Sequence, residues 1–341
     1  VLICGASFAG LAVARELATT GAKVLIVDRY ELGERQTSAC GIPTGWLQRL
    51  GLTAALRQTL PEMRVHTPRR TVSFRLPWSF STFDYRELCG LLAAQGSFEL
   101  ELAVVQSRDG DVVSTDRGEL RAPLIVDALG WRRVLGSGTP IQPPHAELSR
   151  GLEVHPAGSG SELELWIDPR YAPAGYAWSI PAGNEVRVGV GSFDPAFHVR
   201  QSTVRLTRDL GHEPNGYQGN WIPHRLREPT EDGIFFVGDS AGHCAPLTAE
   251  GIRPALYFGI ALGRQLAEVL GGRQSKAMAL AAYGAFHESH RWKYDMLLSL
   301  QRLIPRLSPR ALMLLLDSMR LRTLRDAAFN RYLRLAPPEF V

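Results

Sequence analysis

The opening 28 residues constrain this chain most. "VLIC" (1–4) is a short apolar run, "GASFAG" (5–10) a glycine-framed turn, and "KVLIVD" (23–28) a second apolar run ending in an acid. Between them Leu11, Ala14, Leu17 and Ala18 have helical spacing over Gly10–Thr20, and Gly21 ends the pattern. Strand, crossover helix and strand in about 30 residues make a βαβ unit of a parallel sheet. The turn itself, Gly5-Ala6-Ser7-Phe8-Ala9-Gly10, reads G-x-S-x-x-G. Glycine or a small residue lets the backbone approach a diphosphate, and the amides that open the helix offer the positive end of its dipole. Asp28 ends the second strand, where a ribose hydroxyl needs an acceptor. The pattern implies a dinucleotide and does not separate NAD from FAD.

Further along, "ACGIPTGWLQRLGL" reads as a loop entering a helix over 45–50, and Val65–Phe83, with two prolines, as edge strands. Tyr85–Ala94 is an amphipathic helix. Glu99–Gln106, Val112–Thr115 and Gly118–Ala122 form an antiparallel meander. "PLIVDA" (123–128) is another buried strand. From Ala146 to Ile222 the pattern turns to alternating strands around one helix near Ser202–Leu210, the mark of a separate antiparallel sheet. "IFFV" (234–237) returns to a buried strand, followed by a Gly-rich turn and a long helix from Ile252 to about Leu270. Everything after Gly271-Gly272 is helical apart from Pro305 and Pro309.

Of the 38 basic residues only Lys23, Lys276 and Lys293 are lysines. Charge is concentrated at the end: residues 285–341 hold 10 basic and 5 acidic side chains, a net +5 against +4 for the whole chain. That leaves the rest at −1, which offers no basic footprint for nucleic acid. A basic, leucine-rich tail suits either a solvated helical face or an anionic membrane surface. Its longest purely apolar run, Ala311–Leu316, is far short of the roughly 20 residues that span a bilayer. The cysteines at 4, 40, 89 and 244 lack C-x-x-C spacing, so no metal site is expected, and reduced thiols point to the cytoplasm. The chain opens directly on a strand, and no signal peptide is read from it.

Three segments carry a resemblance to a known class: the Gly5–Gly10 turn with Asp28, "IVDALGWRR" (125–133), and "GDSAGHCAPLTAEGI" (238–252). Together, in this order, they resemble the FAD-dependent oxidoreductases of the para-hydroxybenzoate hydroxylase fold, and within them the sequence is most similar to the geranylgeranyl reductase family. The likeness covers most of residues 1–270 and not the tail. It implies an α/β fold: a Rossmann-like FAD-binding domain (1–60, 84–135 and 225–271), an inserted antiparallel-sheet substrate domain (61–83 and 136–224) and a C-terminal helical region (272–341). FAD is then expected against Gly5, Ala6, Ser7, Phe8, Ala9, Gly10, Asp28 and Arg29 at the nucleotide end. Asp239, Pro246, Gly251 and Ile252 would meet its ribityl chain and ring, with the free amides of the helix start favouring the negative charge of reduced flavin. Ala249 replaces the family's glycine before Glu250, and Tyr85, beside Arg86, replaces its usual arginine.

The run "GYAWSIP" (175–181) resembles the family's Y-x-W-x-F-P substrate strand. Tyr176, Trp178 and Pro181 match, Ile180 replaces the phenylalanine, and the family's preceding cysteine is absent. The resemblance makes Tyr176 and Trp178 a wall of the substrate cavity and Cys40-Gly41 the pair beside the flavin ring, with Cys40 a proton donor or gate; a packed core strand and a buried structural thiol are the plain alternatives. Two chemistries fit. One reduces carbon–carbon double bonds of an apolar prenyl or natural-product substrate with electrons from NAD(P)H or a reduced carrier. The other is a monooxygenase that hydroxylates an aromatic or polyketide-like substrate with dioxygen. A flavin halogenase needs a lysine in the flavin domain, and residues 24–275 have none. A non-catalytic flavin- or lipid-binding module stands as a third reading. Peripheral membrane contact through the basic tail is compatible with each.

Overall fold

The computed structural model describes residues 1–36, 38–138 and 145–341. β1 (Leu2–Cys4), α1 (Phe8–Leu17) and β2 (Leu25–Asp28) form the opening unit. β3 (Gly41–Pro43), α2 (Thr44–Arg49), the hairpin β4 (Leu56–His66) and β5 (Thr71–Phe83), α3 (Tyr85–Ala94) and β6 (Glu99–Leu102) follow. β7 (Val105–Asp109), β8 (Val112–Thr115) and β9 (Gly118–Arg121) make a meander before β10 (Ile125–Asp127). Next come β11 (Leu148–Val154), β12 (Leu163–Trp166), β13 (Gly175–Pro181), β14 (Val186–Ser192), α4 (Arg200–Asp209), β15 (Gln218–Pro223), β16 (Thr230–Glu231) and β17 (Ile234–Phe236). α5 (Ile252–Leu270), α6 (Lys276–Glu288), α7 (Arg291–Leu303), α8 (Pro309–Ser318) and α9 (Arg322–Leu333) close the chain.

β17, β10, β1, β2 and β6 lie parallel in that order, with β16 antiparallel at the edge. β1, β10 and β17 are buried throughout, as a sheet covered on both faces requires. Their carboxyl ends point one way, so the Gly5 turn, Asp28, Ala128 and Gly238 collect along one rim. The segment expected to start the meander at Glu99 splits in two. Glu99–Leu102 pairs with β2 in parallel, and the meander starts at Val105. The polar alternation of "ELEL" looks antiparallel because an edge strand need bury only part of its surface.

The second sheet has eight strands in the order β15-β11-β14-β13-β12-β4-β5-β3. It includes Gly41–Pro43 and begins the long hairpin at Leu56, so it takes in residues that the sequence division assigns to the nucleotide-binding part. Within the proline-bearing Val65–Phe83 segment, β5 up to Ser79 pairs with β4 alone and so runs along the sheet edge as expected, and only Phe80–Thr82 is flanked by β3. Pro61 and Pro77 fall where the β4–β5 register shifts between Leu60 and Glu62, and the broken ladder spares them a missing donor.

α5 packs against α1 behind this rim. A Cβ on Gly259 would stand 2.7 Å from Ala9 O and 2.8 Å from Ala12 Cβ, and one on Gly263 2.6 Å from Glu16 Cβ. Glycine at both positions, four residues apart on one helix face, lets α5 press against the backbone of α1. Tail helices α8 and α9 cover the β4–β5 hairpin, where Leu312, Met313, Leu316, Met319 and Phe329 meet Val65, Val72, Phe74 and Leu76. The four cysteines are buried and unpaired. No helix among the described residues is long and apolar enough to cross a membrane.

Candidate cofactor and substrate site

Gly5 has φ +114°, and a Cβ there would lie 2.3 Å from Ala128 O, so only glycine lets the turn pass β10. Gly10 packs as closely, its absent Cβ 2.0 Å from Gly5 O. Asp28 fastens the turn: Oδ2 accepts from Ala6 N at 2.7 Å and Oδ1 from Tyr30 N at 3.0 Å. Each carboxylate oxygen retains a lone pair for a ligand hydroxyl. Ser7 stands at the N-cap of α1 but its hydroxyl does not cap. It lies 3.2 Å from Tyr85 OH, and the amides of Phe8, Ala9 and Gly10 have no partner among the described residues. The first turn is therefore a row of free donors backed by a helix dipole.

A cleft of about 530 Å³ opens beside this turn, between Gly33–Gln36, Asp84–Arg86 and Tyr217–Gly219. It adjoins a smaller one lined by Ala6, Ser7, Asp28 and Tyr30. Arg35 and Arg86 line the larger cleft. Arg29, expected at the nucleotide, is exposed, holds its guanidinium 4.7 Å over the Tyr30 ring and does not line either cleft.

The second half of the rim follows β17. Gly238–Ala241 forms a 3₁₀ turn that carries Asp239, the ribityl acceptor expected from sequence. Burial pushes its carboxyl up to about 6, against the pull of Arg227, and no donor among the described residues reaches either oxygen. Gly251 caps α5 with no side-chain bond. The amides of Ile252 and Arg253 are free, and Pro254 has none. Pro246 is buried, and Ala245 N donates to Glu250 O at 2.9 Å to close the loop between them. In that loop Leu247 (φ +68°) and Ala249 (φ +51°) are left-handed. Ala249, the departure from the family's glycine, thus carries a backbone penalty. Ala249→Gly should stabilise the chain by about 0.5–1 kcal/mol in denaturant melts, the left-handed penalty less the entropy glycine adds to the unfolded chain.

The tail braces this loop, an arrangement with no signal in the local pattern of either segment. Gln301 Oε1 accepts from Leu247 N at 2.7 Å, and Tyr332 OH binds Glu250 and lies 2.8 Å from Thr248 Oγ1. Arg253 is fully buried. It forks onto Glu250 with two bonds of 2.7 Å and donates to Leu333 O and Ala336 O at 2.9 and 3.1 Å. Trp46 Nε1 joins at Ala336 O, 3.1 Å away. For Arg253 itself, a lone arginine in the apolar run "GIRPALYFGIALG" was the available signal.

Cys40 is sealed from solvent with φ +50°, and its thiol lies 3.2 Å from Ser38 O. Burial pushes the thiol well up, so it stays protonated. The loop is held from the second sheet by Arg187, itself 2% exposed. It donates to Ala39 O (2.7 Å), Cys40 O (3.3 Å) and Phe83 O (3.0 Å). Sequence reading missed Arg187 because "EVRVGVG" looks like a plain alternating strand. Gly41 begins β3 beside the Phe80 ring.

Tyr176 and Trp178 share one face of β13 with ring centroids 5.8 Å apart. Tyr176 OH donates to Thr248 O at 2.5 Å, which ties the second sheet to the Gly251 loop. Trp178 is not a free-standing wall. Its ring lies over Gly189, whose added Cβ would sit 2.3 Å from it, and its Nε1 donates to Glu153 Oε2 at 3.2 Å. Glu153 is buried and lies 2.9 Å from His155 Nε2, so this face has a polar anchor that the aromatic motif did not announce.

Behind the loop His243 is fully buried. Its Nδ1 accepts from Gly238 N at 3.1 Å and its ring stacks on Phe258 at 3.8 Å. His287 is buried as well because α6 folds against α5, and neither of its ring nitrogens has a partner among the described residues. Burial lowers its imidazole from 6.5 to about 4. An imidazole that binds its proton more weakly when folded contributes stability above 6.5 and loses it as pH falls towards 4. His287→Phe should therefore be near neutral at pH 7 and flatten the acid loss of stability by about 1.4 kcal/mol per pH unit in that window. Parallel pH dependences of wild type and variant would refute this.

No protein-family model matches the chain. Digeranylgeranylglycerophospholipid reductase 3 of Methanosphaera stadtmanae is 25% identical over 86% of this chain and 83% of its own length. Digeranylgeranylglycerophospholipid reductase 1 of Methanopyrus kandleri is 26% identical over 94% of both. The chain is similar to geranylgeranyl reductases. Solved structures agree on the fold. A geranylgeranyl bacteriochlorophyll reductase-like protein of Thermoplasma acidophilum superposes with TM-score 0.84 at 18% identity, over 100% of this chain and 96% of that one. A probable FAD-dependent monooxygenase of Pseudomonas aeruginosa gives 0.68 at 20% identity, over 96% and 98%. The flavin-dependent brominase Bmp2 gives 0.73 at 18%, over 99% and 92%. The similarity to the Methanopyrus kandleri reductase takes in 94% of the chain and so extends into the tail, which the sequence motifs alone did not cover.

Proposed function

We propose that the chain binds FAD along the rim from Asp28 to Gly251 and reduces carbon–carbon double bonds of a prenyl-type apolar substrate. The observation that carries this reading is a pair of uncapped helix starts, on α1 and α5, in helices packed together where Gly259 meets Ala9, with the substrate strand tied to the second start through Tyr176 and Thr248 O. The residues fit the cofactor. The Gly5–Gly10 cradle has no room for a Cβ, the amides of residues 8–10 and 252–253 lack partners, and Asp239 accepts from none of the described groups. Phe8, Ala9 and Gly10 would hold the diphosphate, with Arg35 and Arg86 supplying charge in place of Arg29. Asp28 and Asp239 would hold the sugar hydroxyls, and Ile252 the ring. Bound FAD supplies the electron pair that reduces a double bond, drawn from NAD(P)H or a reduced carrier.

The chain's own part is to bind, orient and exclude water. The free amides at Ile252 and Arg253 stabilise negative charge where they point. Cys40, buried and protonated, keeps a hydrogen on sulfur at the loop beside Gly41, and Arg187 fixes that loop through three carbonyls. Tyr176 and Trp178 would offer the substrate their ring faces, since their polar tips are spent on Thr248 O and Glu153. The names of the reductase relatives support an isoprenoid lipid as substrate class. The basic tail fits peripheral contact with the membrane from which such a lipid would come.

The deciding experiment uses oxygen. Protein reduced with dithionite under anaerobic conditions should convert digeranylgeranylglycerophospholipid to products heavier by two hydrogens per double bond. Conversion that demands dioxygen and adds an oxygen atom would replace the reductase reading with the monooxygenase one. Colourless protein that takes up no added FAD would remove both.

A further inference from the structure

Among the described residues, nine of the twelve large apolar side chains that stand exposed lie between 278 and 324. On α7, Trp292, Met296, Leu300 and Leu303 follow one another at intervals of four, four and three, one stripe down a single helix face. They are 54, 37, 38 and 50% exposed, while Tyr294, Leu297, Leu298 and Gln301 on the other side are buried. α8 repeats the division. Leu312, Met313 and Leu316 pack on the β4–β5 hairpin, and Leu314 and Leu315 face out. Leu321 and Leu324, at the start of α9, are more than half exposed.

Interspersed with these side chains are Arg302, Arg306, Arg310, Arg320, Arg331 and Arg334. All six are exposed, and none has a carboxylate within ion-pair distance among the described residues. Two copies meeting through this face would oppose like charges. A layer of anionic headgroups over hydrocarbon complements both halves of the pattern.

We propose that the outer face of α7–α9 docks on an anionic lipid bilayer. The apolar stripe of α7 enters the headgroup boundary and the unpaired arginines lie against lipid phosphates. The face stands on exposure and charge alone; its use, delivery of an apolar substrate, rests on the reductase reading. α7 is also the helix whose Gln301 holds Leu247 N, so docking places the Gly251 loop about one helix diameter, ~10 Å, from the membrane.

The test is sedimentation of the full chain with vesicles of phosphatidylcholine alone or with phosphatidylglycerol, alongside two double variants, Leu300→Glu/Leu303→Glu and Arg306→Glu/Arg310→Glu. Wild type should sediment with the phosphatidylglycerol vesicles and stay soluble with phosphatidylcholine. Each double variant should lose about tenfold or more of that binding while melting like wild type. Wild type left in the supernatant, or folded variants that bind as well as wild type, would overturn the proposal. So would a wild-type dimer in sedimentation equilibrium that the leucine variant dissolves. FAD content and turnover of detergent-dispersed substrate, read in parallel, test the chemistry independently of the docking face.

Discussion

Replacing Arg253 with methionine should destabilise the chain by about 3–5 kcal/mol, because the change leaves Glu250 a half-buried charge without its fork. Arg253 is 0% exposed and satisfies Glu250 and the carbonyls of Leu333 and Ala336 at once. Urea titration measures the loss. Flavin retention should fall with it, since the same side chain ties the tail to the start of α5. Arg253→Lys should recover little, for an ammonium cannot reproduce two parallel bonds to a carboxylate and still reach two carbonyls. A loss below about 1 kcal/mol in Arg253→Met would mean that the tail docks without it.

Gly259→Leu should be nearly as damaging, about 3 kcal/mol or more, and should release FAD from whatever protein still folds. The first added carbon already meets Ala9 O at 2.7 Å, and a backbone oxygen cannot rotate away as a side chain would. α5 must lift from α1, which separates the free amides at Ile252 from those at Phe8–Gly10. Absorbance of the purified variant and its melting temperature test the two parts independently. A variant that keeps full flavin and wild-type stability would show that the helices do not need this approach. Gly284, on the tail helix α6, offers the control: an added Cβ there meets nothing within 4 Å, so Gly284→Ala should hold stability or raise it.

The parallel sheet was legible because its signals are local. β1, β2, β10 and β17 are short apolar runs in a sheet covered on both faces, and each ends at a turn whose residues are small or acidic. Tyr85–Ala94 and Ile252–Leu270 were readable from periodicity and flanking residues. β6 was misplaced because edge and meander strands share one polar alternation. Arg187 and Glu153 escaped because a charged residue on an alternating strand is, by default, on the wet face.

By itself, the sequence determined the order of strands and helices, the two glycine-framed turns about 230 residues apart, and the aromatic pair on β13, since backbone sterics and side-chain period act within a few residues. Tertiary structure alone decided that those turns share one rim, that Trp178 lies on Gly189 with its nitrogen on Glu153, and that the tail braces the Gly251 loop through Gln301, Tyr332 and Arg253. Those contacts join residues from 11 positions apart (Trp178 and Gly189) to about 230 apart (the two turns). Burial and charge neutralisation between such residues depend on where the chain returns, which local pattern does not encode.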